Sequence, residues 1–225
     1  MLVVRFRIGG SLRFLSHAQT LRVFQRACVR AGLKIQYSQG FNPRPRLSLP
    51  LPRPVGVASD DELLCLRVRK STSPQEHKST GTESTYDLCT LVKADISSQL
   101  PEGCELFSVN VAEVGTSFQP CSAAYVLAVR KEYLNEELKA AIKRLLASES
   151  INLQRQIDKR KSRIKNIDVR GFLESIELDG NSIIVECKIS SAGSIRVDEI
   201  LRLLELDVEK LASPIRRTNV QWQQT

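Results

Sequence analysis

Arg44 and Arg46 flank Pro45 inside Tyr37–Gly56, a segment with five prolines and no acidic residue. Proline fixes the backbone and removes donors, so the two guanidinium groups are held apart with directions set in advance. Forked, pre-set guanidinium groups suit phosphate oxygens. Tyr37 and Phe41 in the same segment offer ring faces on which an unpaired base can stack. The plainer alternative is a crossover that packs Phe41 and Leu47 into a core, and the two are compatible. Arg22, Arg26 and Arg30 recur at steps of four and form a purely basic helix face, with Arg53 further along. Like charges at that spacing repel mildly, which points to solvent or an anionic partner. A second basic cluster comprises Arg155, Lys159, Arg160, Lys161, Arg163, Lys165 and Arg170, against Asp158 and Asp168. It reads as a loop that straddles a phosphate backbone, or as a solvated loop. Ser190–Arg196 places small residues and one arginine before a helix, which suits an anion or simply a tight turn. It has neither the lysine nor the spacing of a nucleotide-binding P-loop.

His17 is one of two histidines. With Arg13, Arg44 or Arg46 it can be drawn as the base of a metal-independent endoribonuclease, which needs a proton acceptor near the 2′-hydroxyl and cations for the phosphorane. Its spacing with Leu21 and Phe24 fits equally a histidine packed on an apolar face. No metal-ligand cluster, paired-carboxylate motif, nucleophile elbow or dinucleotide fingerprint accompanies it. The expectation is no cofactor and no resident metal.

The charge pattern strengthens the polyanion reading. The chain of 225 residues carries a net +8, yet its first acidic residue is Asp60. Ten basic residues precede it, so all of the excess positive charge lies in the first quarter. Such a run marks a surface facing a polyanion, or one against which acids from elsewhere fold. The six cysteines are never closer than 15 residues and have apolar neighbours, as expected of buried thiols in a reducing compartment. No apolar run suffices for a membrane helix, and the amino-terminal residues alternate charge with apolar side chains, unlike a secretory leader. A cytoplasmic protein without a membrane partner is the expectation.

The positioning elements follow from periodicity. Residues 2–8 alternate as a strand. Ser16-His17-Ala18-Gln19 fits a capping box opening a helix whose apolar face is His17, Leu21, Phe24, Cys28 and Ala31, closed by Gly32. Strands are expected at 33–37, 62–69 and 105–114, a helix at 88–100 ended by Pro101-Glu102-Gly103, and a mobile loop at 71–85. Residues 115–121 read as a linker. The order then recurs: strand 124–130, helix 136–147, strand 151–157, basic loop 158–166, a hairpin of 168–178 with 182–190 across Asp179-Gly180-Asn181, helix 197–206 and strand 218–223. This predicts an α+β fold of two tandem ferredoxin-like βαββαβ halves, 1–114 and 122–225.

Phe14-Leu15-Ser16-His17, Tyr37-Ser38-Gln39-Gly40-Phe41-Asn42-Pro43, Pro50-Leu51-Pro52 and Val55-Gly56 before Asp61-Glu62 together resemble the bacterial family of radical-SAM-associated proteins. Pro101-Glu102-Gly103 and Ile167-Asp168-Val169-Arg170 extend the resemblance over most of the chain, and residues 71–85 depart from it. Members of that family occur alone or joined to a radical-SAM enzyme, so the resemblance implies a partner rather than a reaction. The cysteine spacing excludes the radical enzyme itself, whose four-iron cluster needs three closely placed thiolates. The combined expectation is an RNA-binding accessory module, acting on ribosomal or transfer RNA beside a radical-SAM partner. Phosphates would meet Arg22, Arg26, Arg30, Arg44, Arg46, Arg53, Lys159, Arg160, Lys161, Arg163, Lys165, Arg170 and Arg196. The alternatives are the endoribonuclease using His17 and a protein-interaction scaffold docking through 41–56 without nucleic acid.

Overall fold

The computed structural model describes residues 1–69, 82–158 and 163–225. The fold is α+β, and its contacts divide it into Met1–Gln119 with Gln223–Thr225, and Pro120–Trp222.

In the first unit, β1 (Leu2–Ile8) alternates as its sequence dictates: Leu2, Val4, Phe6 and Ile8 are buried while Arg5 and Arg7 face out. It pairs antiparallel with both β3 (Ala58–Leu66) and β4 (Cys104–Val111), so it is the inner strand. The short β2 (Leu47–Ser48) adds to the other edge of β3. Helix α1 (His17–Arg30) starts on the expected box: Gln19 N–H donates to Ser16 Oγ at 3.3 Å, and Ser16 N–H to Gln19 Oε1 at 2.8 Å. Its face of Phe24, Ala27 and Cys28 packs on β1, where the Phe6 and Phe24 rings meet edge to face at 4.5 Å. Helix α2 (Thr82–Ser97) closes the core with Cys89, Val92 and Ile96.

Several boundaries differ from expectation. Residues 33–37 form no continuous strand; Ile35 and Tyr37 make only isolated bridges, to Val68 and Pro45. The prolines beyond them cannot donate to a ladder, so pairing lapses until β2. Residues 82–85 belong to α2, and 71–81 of the expected loop lie outside the described residues. Leu88 and Leu91 are exposed, because the buried face of α2 runs through residues 89, 92 and 96. The 101–103 turn packs tightly: Gly9 N–H donates to Gly103 O at 2.8 Å, and Gly103 adopts φ +90°.

The second unit begins with β5 (Phe118–Ala128), which takes up the end of the expected linker, and continues with α3 (Glu136–Ala147), opened by Asn135 accepting from Leu138 N–H at 3.0 Å. A separate two-stranded ribbon follows, β6 (Asn152–Asp158) with β7 (Arg163–Asp168). Part of the expected basic loop is therefore strand, since Ile164 and Ile167 supply strand-forming side chains between the cations. Next come β8 (Leu173–Asp179) and β9 (Ser182–Lys188), joined across Gly180-Asn181 as the sequence indicated, with Gly180 at φ +56°. Helix α4 (Val197–Leu203) and β10 (Arg216–Gln224) complete the chain. The sheet order is β10-β5-β9-β8. Leu127, Leu138, Ile142, Ile183, Val185, Ile200 and Leu204 are buried within it. Among the described residues no helix is long and apolar enough to cross a membrane.

Candidate nucleic-acid interface

The basic residues of the first unit sort into two groups. In the first, the guanidinium group is already held by a partner within the protein. Arg5 donates from Nη2 to both Asp61 carboxylate oxygens at 2.7 Å, and Arg7 pairs with Glu105. Arg13 lies 4.3 Å over the Phe14 ring and donates to Gly10 O. Arg30 donates to Gln99 O at 2.6 Å and to its side-chain oxygen at 3.1 Å. Arg53 corrects the sequence reading. It is buried, and its guanidinium donates to the carbonyls of Arg13 at 2.7 Å, Leu15 at 3.2 Å and Leu12 at 3.3 Å, and to those of Pro54 and Val57. It fastens the proline-rich segment to the turn ahead of α1 and presents no fork to a phosphate.

The second group stays in solvent. Arg22 and Arg26 on α1, Lys34 just beyond it, and Arg44 and Arg46 are exposed and make no ion pair among the described residues. The last two stand on a short closed loop. Ser38 N–H donates to Arg44 O at 2.8 Å, Arg44 N–H returns to Ser38 Oγ at 2.9 Å, and Arg46 N–H donates to Gln36 O at 2.7 Å. Arg67 N–H donates to Arg46 O at 2.9 Å, tying the loop base to the chain just beyond β3. Tyr37 at the base is 39% exposed, and Phe41 at the tip is fully so at 107%. Phe41 is therefore not a core residue, contrary to half of the packing alternative; Leu47 does pack against the core as that alternative expects, and Leu49 lies within it.

Under the same segment lies an internal cavity of about 10 Å³ lined by Phe6, Ile8, Leu15, His17, Thr20, Leu49, Arg53 and Glu62. That is room for about one water molecule and none for a ribose. His17 Nδ1 is buried without a hydrogen-bond partner among the described residues. Glu62 is only 3% exposed. As the third of three consecutive acids it carries no sign in the sequence that it turns inward.

In the second unit, Lys159, Arg160 and Lys161 lie outside the described residues, and of Arg163 only the backbone is described. Lys165 and Arg196 are exposed. Arg155 and Arg170 are structural instead. Arg155 makes a bidentate pair with Glu199, at 2.6 and 2.7 Å, and donates to Ser194 O at 2.7 Å. Burial pushes the Glu199 carboxyl up, but the Arg155 hydrogen bonds, the Arg196 N–H at 2.9 Å and the two positive charges outweigh it and leave the group below the usual carboxylate range. Arg170 donates to the carbonyls of Ser148, Leu173 and Leu146 at 2.8 to 3.0 Å. Asp168 accepts from the backbone N–H of Ile151 and of Arg170, which hold its carboxyl below the usual range. The Ile167–Arg170 motif is thus a clasp between the end of α3 and the strands that follow it. In the sequence these arginines look the same as the solvent-facing ones, since charge alone does not reveal a partner.

All six cysteines are free thiols. Burial raises the Cys28 thiol to about 11, and raises Cys104 and Cys187 to about 12.

Residues 1–202 match the family described as "Uncharacterized protein conserved in bacteria (DUF2344)". No curated protein matches the chain. Among solved structures, it is similar to a chain of the "Crystal Structure of a Cbf5-Nop10-Gar1 Complex". The identity is 9%, the TM-score 0.45, and the match covers 97% of this chain and 48% of that one. This chain thus spans about half the length of that relative, at a score too low to equate the folds.

Proposed function

This chain belongs to the bacterial DUF2344 family, and from that premise we propose that it is an RNA-binding accessory module without a reaction of its own, serving a radical-SAM enzyme that modifies ribosomal or transfer RNA. The observation that carries the RNA reading is the sorting of cations in the first unit. Arg22, Arg26, Lys34, Arg44 and Arg46 remain solvent-facing and unpaired among the described residues, in a stretch of 59 residues without a carboxylate. Acids from β3 and β4 do fold back, but onto Arg5 and Arg7. Phosphate contacts of this kind give affinity and register without reading sequence. Lys165 and Arg196 are the exposed candidates of the second unit, and the 159–163 cations lie beside Lys165 in sequence. The radical-SAM partner rests on the motif resemblance through Phe14–His17 and Tyr37–Pro43. Strand orders β4-β1-β3-β2 and β10-β5-β9-β8 support reading each unit as ferredoxin-like, the second with the β6–β7 ribbon inserted.

The test is filter retention of bulk cellular RNA by the purified protein across a salt series, with sequencing of what is held. Retention of one RNA class with a steep salt slope is expected, and R44E/R46E should weaken it. Absence of retention at low salt would overturn the reading and favour a protein scaffold.

A further inference from the structure

The loop between Tyr37 and Arg46 combines three properties. It is stiff, because Pro43 and Pro45 fix its backbone and the Ser38–Arg44 pair of hydrogen bonds closes its neck. Gly40 takes φ +128°, a conformation other residues rarely adopt, and the next residue is thrown outward. That residue is Phe41, 107% exposed, so neither ring face is covered by the protein. A phenyl ring held in water on a stiff loop cannot relieve its exposure by folding back. Its neighbours in sequence are Gln39, Gly40, Asn42, Pro43 and Arg44, polar or small apart from the proline. The exposed cations Arg44 and Arg46 follow within five residues, and the nearest preceding aromatic, Tyr37, is partly exposed at the neck.

Resting on the RNA-binding reading, we propose that this loop recognises an unpaired nucleotide in a hairpin loop, bulge or single-stranded stretch, with Phe41 stacking on the base while Arg44 and Arg46 hold the adjoining phosphates. The chemistry discriminates between RNA forms. In an A-form duplex the bases are stacked on one another and their faces are closed to a ring from outside. An unpaired base offers a free π-face of any sequence, so the contact is tolerant of base identity. A protein pocket would also accept a phenylalanine, but a docking anchor sits at the centre of a desolvated apolar patch. Phe41 stands instead among polar residues and uncompensated cations, which favours the nucleic acid.

The experiment compares wild type, F41A, F41L and F41W on a fluorescent RNA hairpin with an unpaired loop and on a blunt duplex of equal length, at several salt concentrations. A circular-dichroism melt checks each variant, and no change is expected because the side chain is fully exposed. Wild type should favour the hairpin. F41A should bind the hairpin about ten-fold or more weakly, within the range of about 5- to 150-fold for one base–aromatic stack, and should change little on the duplex. F41L should weaken nearly as much, F41W should retain binding, and the salt slope should not move because the charges are unaltered. Equal binding of wild type, F41A and F41L to the hairpin would overturn the inference and leave the RNA reading intact. A loss by F41A that F41L restores would overturn it in favour of plain apolar contact. Failure of wild type to bind either RNA would remove the RNA reading itself.

Discussion

Glu199→Gln tests the buried pair on which the β6–β7 ribbon depends. Arg155 and Glu199 are 9% and 3% exposed and share two hydrogen bonds at 2.6 and 2.7 Å. The substitution preserves shape, removes the charge, and turns one of the two carboxylate acceptors into an amide donor, which leaves the buried Arg155 guanidinium with one neutral amide oxygen and Ser194 O. Removing one partner of such a pair costs about 3–5 kcal/mol, because the other charge stays desolvated. For a unit of this size that is about 10 °C or more in melting temperature. The pH dependence has a definite sign. Glu199 is held below its unfolded value, so its contribution is full above that value, about 4.3. It is lost as the pH falls through the depressed folded value. Wild type should therefore exceed E199Q by several kcal/mol at pH 7, and the gap should close as the carboxyl protonates. Replacing both partners, as R155M/E199L, should recover much of the loss, since an apolar pair has no desolvation cost. Urea unfolding at pH 7 and at pH 3.5, followed by hydrogen exchange of residues 152–156, measures all three. A gap under about 0.5 kcal/mol at pH 7, or one independent of pH, would refute the assignment.

Three further outcomes follow from the same reasoning. Arg53→Met should destabilise by about 3 kcal/mol, because the carbonyls of Leu12, Arg13, Leu15 and Val57 are deprived of a buried donor, and chemical denaturation measures it. Gly103→Ala should cost about 1–3 kcal/mol, since its Cβ would stand 2.9 Å from Gly9 O at a backbone angle of +90°; Gly32→Ala, with open space at φ +74°, should carry only the backbone cost of about 1–2 kcal/mol, and thermal melts compare the two. Cys28, Cys104 and Cys187 should resist alkylation at pH 8 in the native protein and react after unfolding, because their thiols are held at about 11 to 12; mass spectrometry of native and unfolded samples reads this directly.

Local signals in the chain are readable where one residue type dictates one geometry. The alternation of residues 2–8, the Ser16–Gln19 box and the Gly180-Asn181 turn each lead to the element that forms. Pairing over distance is not readable. Arg53 and Arg44 look alike in sequence, nine residues apart and each between two prolines, yet one is buried among carbonyls and the other faces water. That difference depends on the turn at residues 10–15, which comes from another part of the chain. Arg155 and Lys165 are opposite each other on the ribbon, but among the described residues only Arg155 meets an acid, and that acid lies 44 residues on. Proline content in 43–54 flags a stiff segment correctly while hiding that the expected second strand is interrupted.

If the solvent-facing arginines of the first unit bind RNA phosphates, their removal must change how affinity responds to salt. The decisive comparison is the salt dependence of RNA affinity for wild type against R22E/R26E/R44E/R46E, a variant altered only at exposed positions. A wild-type plot of log affinity against log salt should fall steeply. The variant slope should be shallower by about 3, at about 0.7 for each phosphate no longer neutralised. Identical slopes for the two proteins, or no RNA affinity in wild type at low salt, would contradict phosphate binding by these arginines.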